Sequence, residues 1–166
     1  MSDESTPRPA SSSASQLMRW MGIPDANSAG AIHGGTVMRF VDEAAALAAI
    51  KHSGRRVVTA GMDRMTFIHP VYVGELLRCS ATVNAVWHSS MEVGVRVESE
   101  NPYTRELRHT STAYLTMVAL GEDGAPTSVP PLVAESDAER RRQREAGLRR
   151  ENRLAERDQI LTDRDY

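Results

Sequence analysis

The chain has 166 residues, 40% hydrophobic and 25% charged, a balance that suits one folded domain rather than two. A net charge of -2 gives no case for a nucleic-acid or membrane protein as a whole, and no stretch approaches the ~20 apolar residues of a spanning helix. Cys79 is the only cysteine, which excludes a disulfide framework and a Cys-based metal cluster, and the N-terminus lacks the apolar run of a secretory signal, so a cytoplasmic protein is expected.

Residues 1–14 are rich in Ser and Pro and are expected to be disordered. Residues 16–22 form a short apolar run suited to a first strand, followed by turn residues Pro24, Asp25, Asn27, Ser28 and Gly30. Residues 34–54 make the clearest helix, with an Ala-rich centre, Lys51 and His52 near its end and Gly54 as a stop. Val37, Met38, Phe40, Val41, Leu47 and Ile50 spread around its circumference, so the sequence predicts a central helix buried on all sides.

Residues 57–68, 76–87 and 107–120 read as strands, and Val93, Val95 and Val97 alternate with Glu92, Gly94, Arg96 and Glu98 in another. The order is strand, helix, four strands, with connections too short for helical crossovers. An α+β fold follows, an antiparallel sheet wrapped around one long helix. The domain is expected over residues 15–120, a linker over 121–132, and a charged helical tail over 133–166. From Glu135 to Asp165 nine arginines balance nine acids, which cancels any nucleic-acid field and predicts a solvated helix or an element ordered by a partner.

The informative segment runs from Asn27 through His33, Gly34 and Gly35 to Asp42. Hydrolysing a thioester requires N–H donors aimed at the carbonyl oxygen and a base that deprotonates a water. Gly34 and Gly35 fall in the first helical turn, where N–H groups are unpaired and a substrate can approach closely. Asp42 lies about two turns on, roughly 10 to 12 Å along the axis, too far to serve the same carbonyl within one chain. A dimer placing Asp42 of one subunit opposite the glycine turn of the other removes that difficulty. Asn27 suits either an Asx turn or the orientation of water or carbonyl. The glycine pair suits close packing as well as substrate approach, and Glu43 competes with Asp42, since adjacent helix residues point ~100° apart.

Asn27, Gly30, Gly34-Gly35, Met38 and Asp42, with Val58-Thr59, Met62 to Phe67, Pro70-Val71 and Val73-Gly74-Glu75, resemble the hot-dog acyl-CoA thioesterases. The group resembled is that of the YciA-like and brain acyl-CoA hydrolases, over roughly residues 16–120. The resemblance implies a hot-dog fold and acyl-CoA hydrolysis without a cofactor other than the CoA of the substrate. It further implies a dimer, commonly as a trimer of dimers, with active sites at the interface. Asn27, Asp42 and Gly35 are the implied catalytic residues. His33, Gly34, Val58, Thr59, Ala60, Arg64, Ser89, Ser90 and Met91 are the implied substrate and CoA contacts. His33-Gly34-Gly35 is also similar to the phenylacetate-pathway thioesterase branch, which places its acid at the same Asp42. Arg96 and Arg108 are further candidates for phosphate. His52, His69, His88 and His109 show no metal-ligand spacing, and Cys79 reads as a small buried apolar residue.

Two other classes compete. A non-catalytic acyl-CoA sensor would keep the fold and lose the acid, whereas Asn27 and Asp42 are both present. A hydratase of this fold would resemble a pattern with His five residues after the acid, where Leu47 stands.

Overall fold

The computed structural model describes residues 6–163. Its centre is α1, Gly34–Ser53, which ends on Gly54 in the left-handed conformation (φ 69°), with the Gly54 N–H bonded to the Ile50 carbonyl at 2.7 Å. Around it curls a five-stranded antiparallel sheet built from β2 (Ser15–Trp20), β3 (Arg56–Met62), β4 (Leu76–Val86), β5 (Ser90–Glu100) and β6 (Leu107–Leu120). The strand order is β2-β4-β5-β6-β3, so β2 and β3 are the two edges.

The core follows from the period-two pattern of the strands. Leu77, Cys79, Ala81 and Val83 of β4, Met91, Val93, Val95 and Val97 of β5, and Leu115 and Met117 of β6 all point at the helix. The helix answers with Val37, Phe40, Val41, Ala44, Ala45, Ala48 and Ala49. It is not buried all round, however: Met38, Leu47 and Ile50 remain 40–43% exposed. Five strands of one chain cover only part of a helix's circumference.

Three further expectations differ from the structure. Within the segment expected to be disordered, residues 6–14 pack onto the body, and residues 1–5 lie outside the described residues. A two-residue strand β1 (Arg8–Pro9) pairs with β7 (Leu132–Val133), and a short 3-10 turn buries Ser13, whose Oγ accepts the Val83 N–H at 2.9 Å. The strand expected over 57–68 stops at Met62. Residues beyond it run as a loop tied to β6 through Ile68 N–H to Thr110 O at 2.9 Å and Ser111 Oγ to Thr66 O at 2.8 Å.

The third difference concerns the tail. Helix α2, Asp137–Thr162, opens with a capping box between Ser136 and Glu139. It does not stand free in solvent but lies against the outer face of the sheet. Glu92, on the face of β5 opposite the inward valines, is fully buried there. Arg149 grips it with two nitrogens at 2.7 and 3.1 Å, Arg153 adds a contact at 3.5 Å, and Asn84 Nδ2 donates at 3.3 Å. Burial works against the Arg149 charge, but the Glu92 carboxylate more than offsets it and leaves the guanidinium pKa raised. The Arg149 and Arg150 guanidiniums also sit over Tyr114 and Trp87, at 3.6 and 4.5 Å from the ring centroids.

The end of α1 is sealed by His52, fully buried, whose Nε2 meets the Pro130 carbonyl at 2.9 Å while Arg8 holds the His52 carbonyl. Burial pushes the His52 imidazole below its ordinary value of 6.5; the carbonyl opposes this and the Arg8 charge adds to it. Because the unfolded chain takes up that proton and the folded chain resists it, stability is present above pH 6.5 and drains away as pH falls below it. Thermal melts at about pH 7.5 and about pH 5.5 should show the wild type losing Tm on acidification, with a shallower loss in His52→Gln.

Candidate active site

The loop before α1 is closed by its own hydrogen bonds. Asp25 accepts from Arg19 at 2.9 Å and from the Gly22 N–H at 3.0 Å, its carbonyl takes the His33 N–H, and Ile32 N–H reaches Val71 O. Within this frame Gly30 adopts φ 81°, which lets the chain turn back on Asn27. The Asn27 Oδ1 accepts the N–H groups of Ala29 and Ala31 at 2.9 and 3.2 Å, an Asx-type turn. Its oxygen is therefore committed to the loop, and among the described residues its Nδ2 has no acceptor. A rigidly held amide that keeps its two donors free is suited to pointing them at a carbonyl or a water.

His33 is the N-cap of α1 and is exposed; no side chain caps the helix, and no acid lies in its first turn. The N-terminal N–H groups and the positive dipole end therefore stay available to an electronegative atom. A Cβ on Gly34 would rest 3.5 Å from the Phe67 ring, whereas one on Gly35 would meet nothing within 4 Å. Gly34 thus has a packing neighbour, and the open space lies at Gly35.

Seven residues on, Asp42 projects from the same helical face as Gly35 and is half-buried. The Thr59 hydroxyl donates to its Oδ1 at 2.5 Å, and among the described residues Asp42 forms no ion pair. Glu43 is instead an exposed partner of Arg39 at 3.1 Å, an i,i+4 pair of little energetic weight. The two competing carboxylates therefore differ in their partners: Glu43 faces a surface arginine, and Asp42 a neutral hydroxyl.

Thr59 lies on β3 with Val58, Ala60 and Gly61, all exposed along an edge that no strand of this chain covers. Ala60 is an extra residue there: Thr59 pairs with Met117 and Gly61 with Thr116, which bulges the strand beside Asp42. The sequence grouped Thr59 with the CoA contacts; its hydrogen bond to Asp42 had no signal, since the partners lie 17 residues apart on different elements.

The other residues expected as contacts differ in exposure and pairing. Met91 is fully buried in the core, so its side chain cannot line a groove. At the turn between β4 and β5 the Ser89 and Ser90 carbonyls accept the Ala119 and Trp87 N–H groups. Arg96 is paired with Glu98, and Arg108 with Glu75. Arg64 is exposed and has no carboxylate partner among the described residues; it lines a cleft with Met62, Asp63, Asn152, Arg153 and Glu156 beside α2, away from Asp42. Burial pushes the Cys79 thiol up to about 12, which makes it inert as a nucleophile.

The sequence and the fold both have counterparts among known proteins. Residues 29–106 match the family model of the thioesterase superfamily. The uncharacterized acyl-CoA thioester hydrolase YkhA of Bacillus subtilis is 36% identical over 115 residues, 69% of this chain and 67% of that protein. The crystal structure of an apo-hexameric acyl-CoA thioesterase superposes with a TM-score of 0.87 at 38% identity, covering 91% of this chain and 97% of that one. An acyl-CoA hydrolase from Staphylococcus aureus, solved with butyryl coenzyme A, coenzyme A and coenzyme A disulfide, superposes with a TM-score of 0.86 at 34% identity, covering 94% and 95%. That hydrolase has also been solved as three variants, with an asparagine, an aspartate or a threonine replaced by alanine. The chain belongs to the acyl-CoA thioesterase family of the hot-dog fold.

Gly35 has a negative φ and open space, so Gly35→Ala should raise stability by about 0.5–1 kcal/mol through helix propensity alone, read as a higher denaturation midpoint.

Proposed function

We propose that the chain hydrolyses acyl-CoA to a free carboxylic acid and CoA, with Asp42 as the base that activates water. The observation that carries this is Asp42 itself, half-buried, held by the Thr59 hydroxyl and free of any ion pair among the described residues. Asp42 takes a proton from water as the oxygen attacks the thioester carbonyl, and the carbonyl oxygen gains the negative charge. The Gly35 N–H at the helix start stabilises that charge, with the Asn27 amide beside it. When the carbon–sulfur bond breaks, the proton held on Asp42 passes to the departing CoA sulfur. No metal, dissociable cofactor or covalent intermediate takes part.

The two halves of this site come from different subunits. Gly35 and Asp42 are roughly 10 Å apart along one helix at ~1.5 Å per residue, so one carbonyl is served by Gly35 and Asn27 of one subunit and Asp42 of its partner. The uncovered β3 edge, with Met38, Leu47, Ile50 and Val58 exposed nearby in sequence on α1 and β3, supplies the surface for that pairing. Dimers of this kind assemble further as a trimer of dimers, in keeping with the hexameric relative. A location in the cytoplasm belongs to the same proposal; among the described residues no helix is long and apolar enough to cross a membrane.

Further support comes from the S. aureus variants. The intervals separating the three replaced residues, 15 and 17 positions, equal those from Asn27 to Asp42 and from Asp42 to Thr59. CoA binding follows for this chain by the same likeness; of the three candidates for phosphate, Arg64, Arg96 and Arg108, Arg64 is the one without a carboxylate partner among the described residues.

Free-thiol release from a panel of acyl-CoA substrates tests the proposal. Asp42→Asn should lower kcat by ~10²–10⁴, the usual worth of a general base, and Asn27→Ala by ~10-fold or more. Near-full turnover in Asp42→Asn would overturn the mechanism, and CoA binding without turnover by the wild type would make the chain a sensor instead. In the same assay Gly35→Ala should lose turnover by ~10-fold or more even though it is the more stable protein.

A further inference from the structure

The bulge in β3 has a consequence on both faces of the sheet. Val57 and Met62 both pack against the core, and Thr59 faces Asp42 on the same side. Strict alternation would set Met62 opposite to Val57 and Thr59; the extra residue Ala60 resets the parity. Asp63 then points outward, where Arg153 of α2 meets it at 2.6 Å.

The same helix grips the strand next door at that position. The Asp63 N–H donates to the Tyr114 carbonyl at 2.9 Å, and the Tyr114 ring lies under the Arg149 guanidinium. Arg149 and Arg153 in turn both contact the fully buried Glu92, so neither is a loose surface cation. Both backbones that define the end of the β3 register are therefore held from α2.

We propose that α2 latches the bulged register of β3, and that Arg153, acting through Asp63, is a positioning residue for the Thr59–Asp42 pair. β3 is an edge strand, paired on one side only within the chain, and a one-residue slip turns every side chain to the opposite face. If the bulge relaxes, either Thr59 leaves Asp42 or Asp63 leaves Arg153. The ion pair is compatible with the Thr59 contact only while the bulge stands. This gives the charged tail a role in turnover although it lies on the opposite side of the sheet from the carboxylate. The role in turnover rests on the proposal that Asp42 is the base; the latch itself is a statement about strand register.

The test uses full-length protein and two readouts, acyl-CoA hydrolysis and hydrogen–deuterium exchange of the peptide spanning β3. Arg153→Met should lower kcat ~10-fold with KM within about twofold, and should speed exchange over residues 59–63 by ~10-fold while α1 keeps its protection. Arg153→Lys, which keeps the charge, should recover most of the loss. Asp63→Asn, nearly isosteric, should reproduce the defect from the other side, and the double variant should be no worse than the worse single one. Unchanged β3 exchange in Arg153→Met and Asp63→Asn, a loss confined to KM, or multiplying defects in the double variant would overturn the latch. If the wild type turns over no acyl-CoA while β3 exchange still responds, the latch stands and the thioesterase mechanism falls. If wild type and both single variants turn over alike, the mechanism stands and the positioning role of Arg153 falls, while β3 exchange decides the latch.

Discussion

The close approach of α1 to the inner face of the sheet is the constraint from which the other features follow. Ala44, Ala45, Ala48 and Ala49 offer only methyl groups, so the strands can advance on the helix with Leu77, Val83, Val93, Val95, Leu115 and Met117. Large residues on one surface fill the space left by small ones on the other, and density is reached without strain. A bulkier side chain at any of these alanines would lift the helix off the sheet. That lift would separate Asp42 from Thr59, whose hydrogen bond spans the gap between helix and edge strand.

The outer face is organised by a different force. Helix α2 buries little apolar surface: Ala146 is its one fully buried residue among those described, and Leu148, Ile160 and Leu161 stay largely exposed. What holds it is a buried carboxylate, Glu92, with two arginines around it and Asn84 behind it. A buried carboxylate left without its cations would be strongly destabilising, so the helix and the sheet are bound to one arrangement. The local backbone is shaped to allow it. Asn84 is a bulge residue in β4, and a Cβ on Gly94 would lie 2.7 Å from its Nδ2, so only glycine leaves room for the amide to reach Glu92. Hydrophobic packing therefore sets the inside of the molecule, and charge-assisted hydrogen bonds set the outside.

These two layers meet at β3. One face of that strand carries the hydroxyl that orients Asp42, the other carries the carboxylate that Arg153 holds, and a single extra residue reconciles them. Bulges at sheet edges commonly re-aim side chains in this way. The exposed edge also explains why a lone subunit looks unfinished, with Met38, Leu47 and Ile50 left uncovered on a helix otherwise sunk in the core.

Much of the fold was legible in local patterns. The alanine run and Gly54 marked α1, the alternating valines marked β5, and the short connections required an antiparallel sheet around the helix, because these signals depend on neighbours in sequence. The family motif likewise marked Asn27, Gly35 and Asp42 as candidates for the proposed site. Period alone put Glu92 on the face opposite the valines and gave no sign of its burial, since alternation tells which face a residue occupies and not what covers that face. Composition alone left the tail free in water, because its anchors are cations whose partners lie about 60 and 90 residues away. The different partners of Asp42 and Glu43, the use of Asn27's oxygen by its own loop, and the pairing of Thr59 with Asp42 all belong to the tertiary structure. Each depends on which groups are brought within hydrogen-bonding distance, and a distance across the fold has no local signature in the chain.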